Sequence, residues 1–159
     1  MEFDWLELWR KLAGTFAQAK NGQQVSGHEL RFRRKTRERP DPILEFAMRN
    51  INSQSTLLDV GAGSGRWTIP VARIAKSVTA VEPSEVMLSM LRENITAANL
   101  NNIRVLQAHW GQAIVEPHDV VVSAQAIYTS QDFVAFVRKM EQYAREVCYL
   151  VLRLPLHNG

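Results

Sequence analysis

The chain has 159 residues and a net charge of +3, with 46% hydrophobic and 22% charged side chains. This balance is typical of a globular domain with a sizeable core, and it excludes a disordered chain, a fibrous protein and a disulfide-stapled miniprotein. The single cysteine, the lack of a secretory leader pattern and the lack of an apolar stretch near the roughly 20 residues of a membrane span predict a reduced, cytoplasmic protein without a membrane partner.

Residues 1–40 are expected to form an N-terminal helix and a basic linker, followed by one domain at 41–159. The helix is predicted over residues 4–19, where an apolar stripe at helical spacing is formed by Trp5, Leu8, Trp9, Leu12 and Phe16. Residues 31–39 hold six basic side chains against one acid. Such a run is typical of a solvated linker, and its functional alternative is a contact with an anionic substrate or an RNA backbone.

From Asp41 onward, short apolar runs alternate with helical periods. Asp41 followed by Pro42 predicts the start of a helix, whose apolar face is formed by Ile43, Phe46, Ala47 and Ile51. Five short runs have the composition of buried strands: 56–60, 77–81, 103–107, 119–123 and 148–152. Helices are predicted in the first, second and fourth gaps: near 66–75, over 84–98 and from about 130. This alternation predicts an α/β fold with a mainly parallel sheet covered on both faces.

The strand at 56–60 leads directly into a glycine-rich turn that opens a helix. Glycines at 61, 63 and 65 let the backbone bend sharply and approach a ligand closely. Glu82 ends the next strand, 21 residues after Gly61. A carboxylate at that place accepts hydrogen bonds from both hydroxyls of a ribose, so the pattern predicts a nucleoside-containing ligand.

Two details separate this turn from a nicotinamide dinucleotide site. Such a site has its last glycine where this chain has Arg66, which is followed by the bulky Trp67. Asp59 stands two residues before the first glycine. An acid beside the turn suits a ligand that carries an ammonium group better than one that carries phosphates.

Taken together, these segments resemble the class I S-adenosylmethionine-dependent methyltransferases, in particular the small-molecule type 11/12-like members. Leu57–Gly65 is similar to the first motif of that family, Val78–Ser84 to the second, Ser84–Asn94 to the helix that follows, and His118–Ser123 to the fourth strand. The resemblance covers about 42–154. It implies a Rossmann-like doubly wound sheet of five mainly parallel strands in the order 3-2-1-4-5, and the last two strands of the family sheet are expected to be absent.

The resemblance implies S-adenosyl-L-methionine as cofactor and S-adenosyl-L-homocysteine as its product. It implies that the glycine turn lies beneath the methionine part, Asp59 near its ammonium group, and Glu82 at the ribose hydroxyls. His109 replaces the acid that reads the adenine, and a neutral imidazole accepts one hydrogen bond, while Trp110 offers a stacking face. The predicted cofactor-binding set is Asp59, Gly61, Ala62, Gly63, Gly65, Glu82, Pro83, His109, Trp110, Ser123 and Gln125. No metal site is predicted.

The implied reaction is methyl transfer to a small-molecule acceptor by in-line displacement at the sulfonium methyl, for which the protein supplies proximity and alignment. The sequence selects no catalytic residue among Tyr128, His109 and Gln125. The absence of an Asn/Asp-Pro-Pro-Tyr motif argues against methylation of base amino groups, and the mid-strand position of Cys148 argues against a cysteine nucleophile. An RNA-directed methyltransferase and a non-catalytic cofactor-binding module are the alternatives.

The fifth predicted strand, 148–152, has no charged residue before Arg153 and no proline before Pro155. Its outer edge would be unpaired and apolar, and such edges pair readily with other chains. We therefore expect a homodimer through this edge. The N-terminal helix is the alternative cover for the edge, although it is expected instead to cap the cofactor cleft.

Overall fold

The computed structural model describes residues 4, 6, 7, 9–11, 13 and 40–152. Their centre is a five-stranded sheet in the order β3-β2-β1-β4-β5. The strands are β1 (Thr56–Val60), β2 (Ser77–Val81), β3 (Ile103–Leu106), β4 (His118–Ala124) and β5 (Ala144–Val151). All neighbouring strands run parallel, which confirms the predicted fold class and strand order. The basic run at 31–39 lies outside the described residues.

Within residues 40–152, four helices and one short turn accompany the strands. They are α1 (Pro42–Met48), α2 (Thr68–Ala72), α3 (Glu85–Ala97), a 3₁₀ turn (Ile127–Thr129) and α4 (Phe133–Tyr143). Asp41 caps α1 as predicted, because its Oδ1 accepts a hydrogen bond from the Leu44 amide at 3.1 Å. Ser84 and Asp132 cap α3 and α4 in the same way.

The sheet buries apolar side chains on both faces, as a parallel sheet requires. On one face, α1 and α2 cover Leu57, Val78 and Val120, and α3 packs beside them. On the other face, α4 and the residues between β3 and β4 cover Leu58 and Val121. Each fully buried side chain of this kind stabilises the fold by about 1.5–3 kcal/mol, so the sheet centre is the most stable part of the domain.

The start of β5 differs from the prediction. The strand begins at Ala144, directly after α4 and four residues before the predicted start at Cys148. Arg145 and Glu146 open the strand with exposed side chains, and the Arg145 guanidinium lies 3.3 Å from the Asp119 carboxylate. Because these two residues are charged, a search for apolar runs did not include the first residues of the strand.

The face of α1 that packs on the sheet also differs from the prediction. Ile43 and Phe46 were expected on the buried face, but their exposed fractions are 51% and 56%. The helix buries Leu44 in their place, whereas Ala47 is buried as predicted. With only seven residues, α1 has too few turns for its apolar pattern to define one face.

Among the described N-terminal residues, those at 6, 7, 9–11 and 13 are helical. The Trp9 ring packs edge-on against Phe133, with 5.2 Å between the ring centroids, and its Nε1–H donates to the Ser130 carbonyl at 3.0 Å. This part of the chain therefore lies beside the loop that follows β4, and its role as a cap on the cofactor cleft stays a prediction. The homodimer through β5 stays a prediction.

Candidate functional site

The glycine turn, residues 61–65, lies where the carboxyl ends of β1, β2 and β4 meet, which is the usual place for a ligand in a doubly wound sheet. Its three glycines have positive φ angles of +78°, +56° and +94°. A Cβ atom on Gly61 would lie 2.1 Å from the Ala126 Cβ, so only glycine allows the turn to pack against the loop after β4. The amides of Gly61 and Ala62 both donate to the Val81 carbonyl, which fixes the turn against the end of β2.

Glu82 holds the glycine turn to the start of α3. Its Oε2 accepts from the Gly63 amide and its Oε1 from the Ser84 amide, both at 2.9 Å. The side chain is buried, with 8% exposed. Each carboxylate oxygen accepts more than one hydrogen bond, so two ligand hydroxyls would still find acceptors here.

Asp59 is a buried acid at the end of β1. It is 2% exposed, and its Oδ2 accepts from the Thr68 hydroxyl at 2.6 Å. Burial raises the pKa of Asp59 to about 6, against the lowering effect of the Thr68 hydrogen bond, and the charge of Glu82 adds to the rise. A buried carboxylate with such a raised pKa gains from a cationic ligand, and this marks Asp59 as a candidate binding residue.

Two cavities adjoin the turn, and Gly61 forms part of the wall of both. The first, the Asp59 cavity, has a volume of about 200 Å³ and is lined by Asp41, Ile43, Asp59, Gly61, Ala62, Arg66, Trp67, Ala124, Gln125 and Val151. The second, the Trp110 cavity, has a volume of about 170 Å³ and is lined by Val60, Gly61, Val81, Pro83, Ala108, His109, Trp110, Gly111, Ala126, Thr129, Ser130 and Phe136.

The structure brings seven of the eleven predicted site residues to these cavities. Four line the Asp59 cavity, namely Asp59, Gly61, Ala62 and Gln125. Gly61 also lines the Trp110 cavity, together with Pro83, His109 and Trp110. The candidate base Tyr128 lines neither cavity and packs beside Trp9, 6.2 Å between ring centroids.

Four predicted residues, Gly63, Gly65, Glu82 and Ser123, line neither cavity. Gly63 and Glu82 are joined by a hydrogen bond, which fixes the glycine turn that forms part of both cavity walls. Glycine is required at position 65 by packing, since a Cβ there would lie 2.6 Å from Leu91 Cδ1. The Ser123 side chain is completely buried, and its hydroxyl has no hydrogen-bond partner among the described residues. Strand pleat and helix packing therefore turn Gly65 and Ser123 away from both cavities, and their contact with the cofactor stays a prediction.

Trp110 is a core residue as well as a cavity wall. It is 6% exposed, and its indole N–H donates to the Phe136 carbonyl at 3.1 Å. The Lys139 ammonium lies 4.6 Å from the ring centroid and donates to the carbonyls of Trp110 and Ala113. These contacts fix the loop that closes the Trp110 cavity, whereas His109 is exposed at its rim.

Six residues that the sequence interpretation did not assign to the site also line the Asp59 cavity, and three of them contact one another: Asp41, Arg66 and Trp67. The Asp41 Oδ2 lies 3.0 Å from the Arg66 guanidinium and accepts from the Trp67 indole at 3.2 Å. Arg66 and Trp67 follow the glycine turn directly, and that adjacency was the available signal. Asp41 lies 18 residues before Asp59, and only the packing of α1 brings it here.

A larger groove of about 560 Å³ lies between α1, α2 and α3, and it shares Asp41 and Arg66 with the Asp59 cavity. Its walls come from helix side chains such as Arg73 and Ala97, and no strand end reaches it. Its size alone does not make it the functional site, because the glycine turn and the two acids at the strand ends lie elsewhere.

Other kinds of chemistry find little support in the described part of the chain. No group of three His, Cys, Asp or Glu side chains there is placed to hold a metal ion. Burial raises the pKa of the Cys148 thiol to about 11, so it is a poor nucleophile at neutral pH. No helix among the described residues is long and apolar enough to cross a membrane.

Comparison with known proteins gives matches to methyltransferases. A probable ribosomal RNA small subunit methyltransferase A from Methanosphaera stadtmanae is 37% identical over 65 residues, which are 41% of this chain and 23% of that protein. A ribosomal protein L11 methyltransferase from Thermoanaerobacter pseudethanolicus is 30% identical over 89 residues, 55% of this chain and 29% of that protein. The matches thus span about a quarter of the length of these curated relatives.

Among solved structures, coclaurine N-methyltransferase bound to N-methylheliamine and S-adenosylhomocysteine superposes with a TM-score of 0.62 at 22% identity, covering 69% of this chain and 34% of that one. This likeness concerns the fold. The methyltransferase-domain family matches residues 57–146, which is more than half of the chain and includes the glycine turn, Asp59 and Glu82. The chain therefore belongs to the class I S-adenosylmethionine-dependent methyltransferase family.

Proposed function

We propose that this chain transfers a methyl group from S-adenosyl-L-methionine to an acceptor. The observation that carries the proposal is the meeting of two unlike cavities at Gly61, with Asp59 buried on one side and the ends of β2 and β3 on the other. A cofactor with an amino-acid end and a nucleoside end fits that arrangement. Family membership supports the same assignment.

The residues present fit such a cofactor. The Asp59 carboxylate, at the bottom of its cavity, would attract the ammonium group of the methionine part. Glu82 has lone pairs left for two ribose hydroxyls, beside Val81 and Pro83 of the Trp110 cavity. The apolar walls of that cavity, including Trp110, suit a flat heterocycle.

When bound, the cofactor supplies an activated methyl group, so the work left to the protein is binding, orientation and exclusion of water. Gln125 has a φ of +60°, a conformation that a side-chain-bearing residue adopts only when its surroundings fix it, and it lines the Asp59 cavity. Gln125 would therefore orient groups at the mouth of that cavity. A general base is needed only if the acceptor is protonated, and His109 at the rim of the Trp110 cavity is one candidate.

For the acceptor, we favour a small molecule. Among the described residues that line the two cavities, Arg66 is the only lysine or arginine, and an RNA backbone needs several such charges. Ile43, Trp67 and Val151 give the Asp59 cavity an apolar side suited to a compact acceptor.

An RNA-directed methyltransferase is the second candidate. The similarity to a probable ribosomal RNA methyltransferase favours it, and so does the basic run at 31–39. If RNA is the acceptor, neutralising Arg33, Arg34 and Arg37 would flatten the salt dependence of RNA binding.

Two measurements test the function. Calorimetric titration with S-adenosylmethionine, S-adenosylhomocysteine and NAD should show binding of the first two and weaker binding of NAD; tighter binding of NAD would refute the proposal. Incubation of a cell extract with cofactor carrying a tritiated methyl group then identifies the acceptor class. Label in small acid-soluble products supports the small-molecule acceptor, and label in ribonuclease-sensitive material supports RNA. Binding without any transfer would leave the non-catalytic module as the function.

A further inference from the structure

The amino-acid end of the proposed cofactor carries two opposite charges. Asp59 offers a partner for the ammonium group, but a carboxylate beside two acids needs a donor of its own. The amides of the glycine turn that face this region are engaged within the protein. Those of Gly61 and Ala62 donate to the Val81 carbonyl, and that of Gly63 donates to Glu82. With these amides engaged, a charged side-chain donor of the same cavity would be the stronger partner for the carboxylate.

Arg66 meets that need by position and by charge. It is the only cationic side chain among the described residues that line the Asp59 cavity, where two acids, Asp41 and Asp59, also lie. It follows the glycine turn directly and is 42% exposed, so a ligand can reach it. A guanidinium has five N–H donors in a planar fork that matches a carboxylate. The contact with Asp41 involves one terminal nitrogen of that fork, at 3.0 Å.

Asp41 is held in place independently of Arg66. Its Oδ1 accepts from the Leu44 amide at the start of α1, and its Oδ2 accepts from the Trp67 indole at 3.2 Å. Its side chain is only 14% exposed. Because Asp41 is anchored by these two bonds, it holds the Arg66 guanidinium at the wall of the cavity rather than moving with it.

We propose that Arg66 binds the carboxylate of the cofactor's methionine part, and that Asp41 is the positioning residue that keeps the guanidinium at the Asp59 cavity. The inference rests on the proposed function and adds a specificity to it. The site distinguishes cofactors that carry this carboxylate from those that lack it, because a charge-assisted pair forms only with the former.

The test compares S-adenosylmethionine with decarboxylated S-adenosylmethionine, which lacks only the carboxylate. Calorimetry on the full chain should show that the wild type binds the carboxylated ligand about ten to a hundred times more tightly, the range expected for one charge-assisted hydrogen-bonded contact. The Arg66→Gln variant should lose most of this preference, because its affinity for S-adenosylmethionine falls while that for the decarboxylated ligand stays. Arg66→Lys should keep part of it, since a lysine donates without the planar fork.

Arg73→Gln is the matched control. Arg73 is an exposed arginine that lines the neighbouring groove but not the Asp59 cavity, so this variant makes the same charge change and should leave both affinities unchanged. Unchanged binding of the decarboxylated ligand by Arg66→Gln also shows that the variant is folded.

Three results would overturn the inference. Equal weakening of both ligands by Arg66→Gln would show that Arg66 acts on the fold and not on the carboxylate. Equal affinity of the wild type for both ligands would show that the carboxylate has no charged partner. In either case the proposed function would stand. If the wild type bound neither ligand, the proposed function would fail together with the inference.

Discussion

The two cavities beside Gly61 are built in different ways. The Asp59 cavity carries three charged side chains, Asp41, Asp59 and Arg66, which are fixed mainly by hydrogen bonds and one ion pair. The Trp110 cavity is lined by no Asp, Glu, Lys or Arg side chain, and several of its wall residues belong to the core that α4 covers. This difference allows an elongated ligand with one charged end only one orientation. It also separates the effects of mutation, because changes in the Trp110 wall act on folding and changes around Asp59 act on binding.

The largest expected effect concerns the contribution of Trp110 to the stability of the fold. Trp110→Ala should destabilise the folded chain by about 3–5 kcal/mol, since it removes a buried indole together with its hydrogen bond to the Phe136 carbonyl. Urea unfolding measures this loss. The control is Ile114→Ala, which changes a large apolar residue of the same loop that is 88% exposed and should leave stability nearly unchanged. Equal stability of both variants would contradict the assignment of Trp110 to the core.

Glu82 lies between the two cavities, and its removal should act on binding. Glu82→Ala should weaken binding of S-adenosylhomocysteine by about ten- to a hundredfold, because the ribose hydroxyls lose a charged acceptor and the Gly63 amide loses its partner. Calorimetry gives the change. Glu85→Ala, at the exposed first residue of α3, removes the same charge nearby and should have no effect. An unchanged affinity for Glu82→Ala would place the ribose elsewhere.

The raised pKa of Asp59 predicts that cofactor binding depends on pH. With a pKa of about 6, Asp59 becomes ionised as the pH rises through that value. The affinity for S-adenosylmethionine should therefore increase by about tenfold between about pH 5 and pH 7.

The stability of the free protein should decrease over the same pH range. Since the pKa is raised from 3.8, the contribution of Asp59 to stability is present below that value and is lost as the pH rises through about 6.

Asp59→Asn separates this group from other titrating groups. The variant should show a cofactor affinity that no longer rises across this range, and an unfolding free energy that no longer carries the same slope. If the wild-type and Asp59→Asn profiles coincided, another group would be responsible.

The smallest expected effect concerns the hydroxyl that tunes Asp59. Thr68→Val removes the 2.6 Å hydrogen bond that lowers the pKa of Asp59, so the midpoint of the pH profile should move to higher pH. Titration of cofactor affinity against pH measures the shift. In the control, Thr96→Val, the lost hydroxyl donates to the Arg92 carbonyl on the exposed side of α3, and the midpoint should not move. A shift in both variants, or in neither, would argue against a local effect on Asp59.

Much of the fold was predictable because its signals are local. The glycine turn, the acids at 59 and 82 and the helix from Ser84 to Ala98 are each encoded within a few neighbouring residues. The start of β5 was not, since Arg145 and Glu146 are tolerated in an edge strand whose side chains are partly exposed. The buried face of α1 was also missed, because a helix of seven residues is positioned by the sheet it packs on rather than by its own pattern.

The sequence by itself determined the parallel sheet, the position of the glycine turn after β1 and the two acids beside it, because strand composition, glycine spacing and strand ends are short-range properties. Only the tertiary structure decided which side chains line the two cavities. It turned Gly65 toward Leu91 and buried Ser123, while it brought Asp41 to Arg66 across 25 positions of the chain. Such contacts depend on how helices pack onto the sheet, and packing joins residues that no local pattern connects.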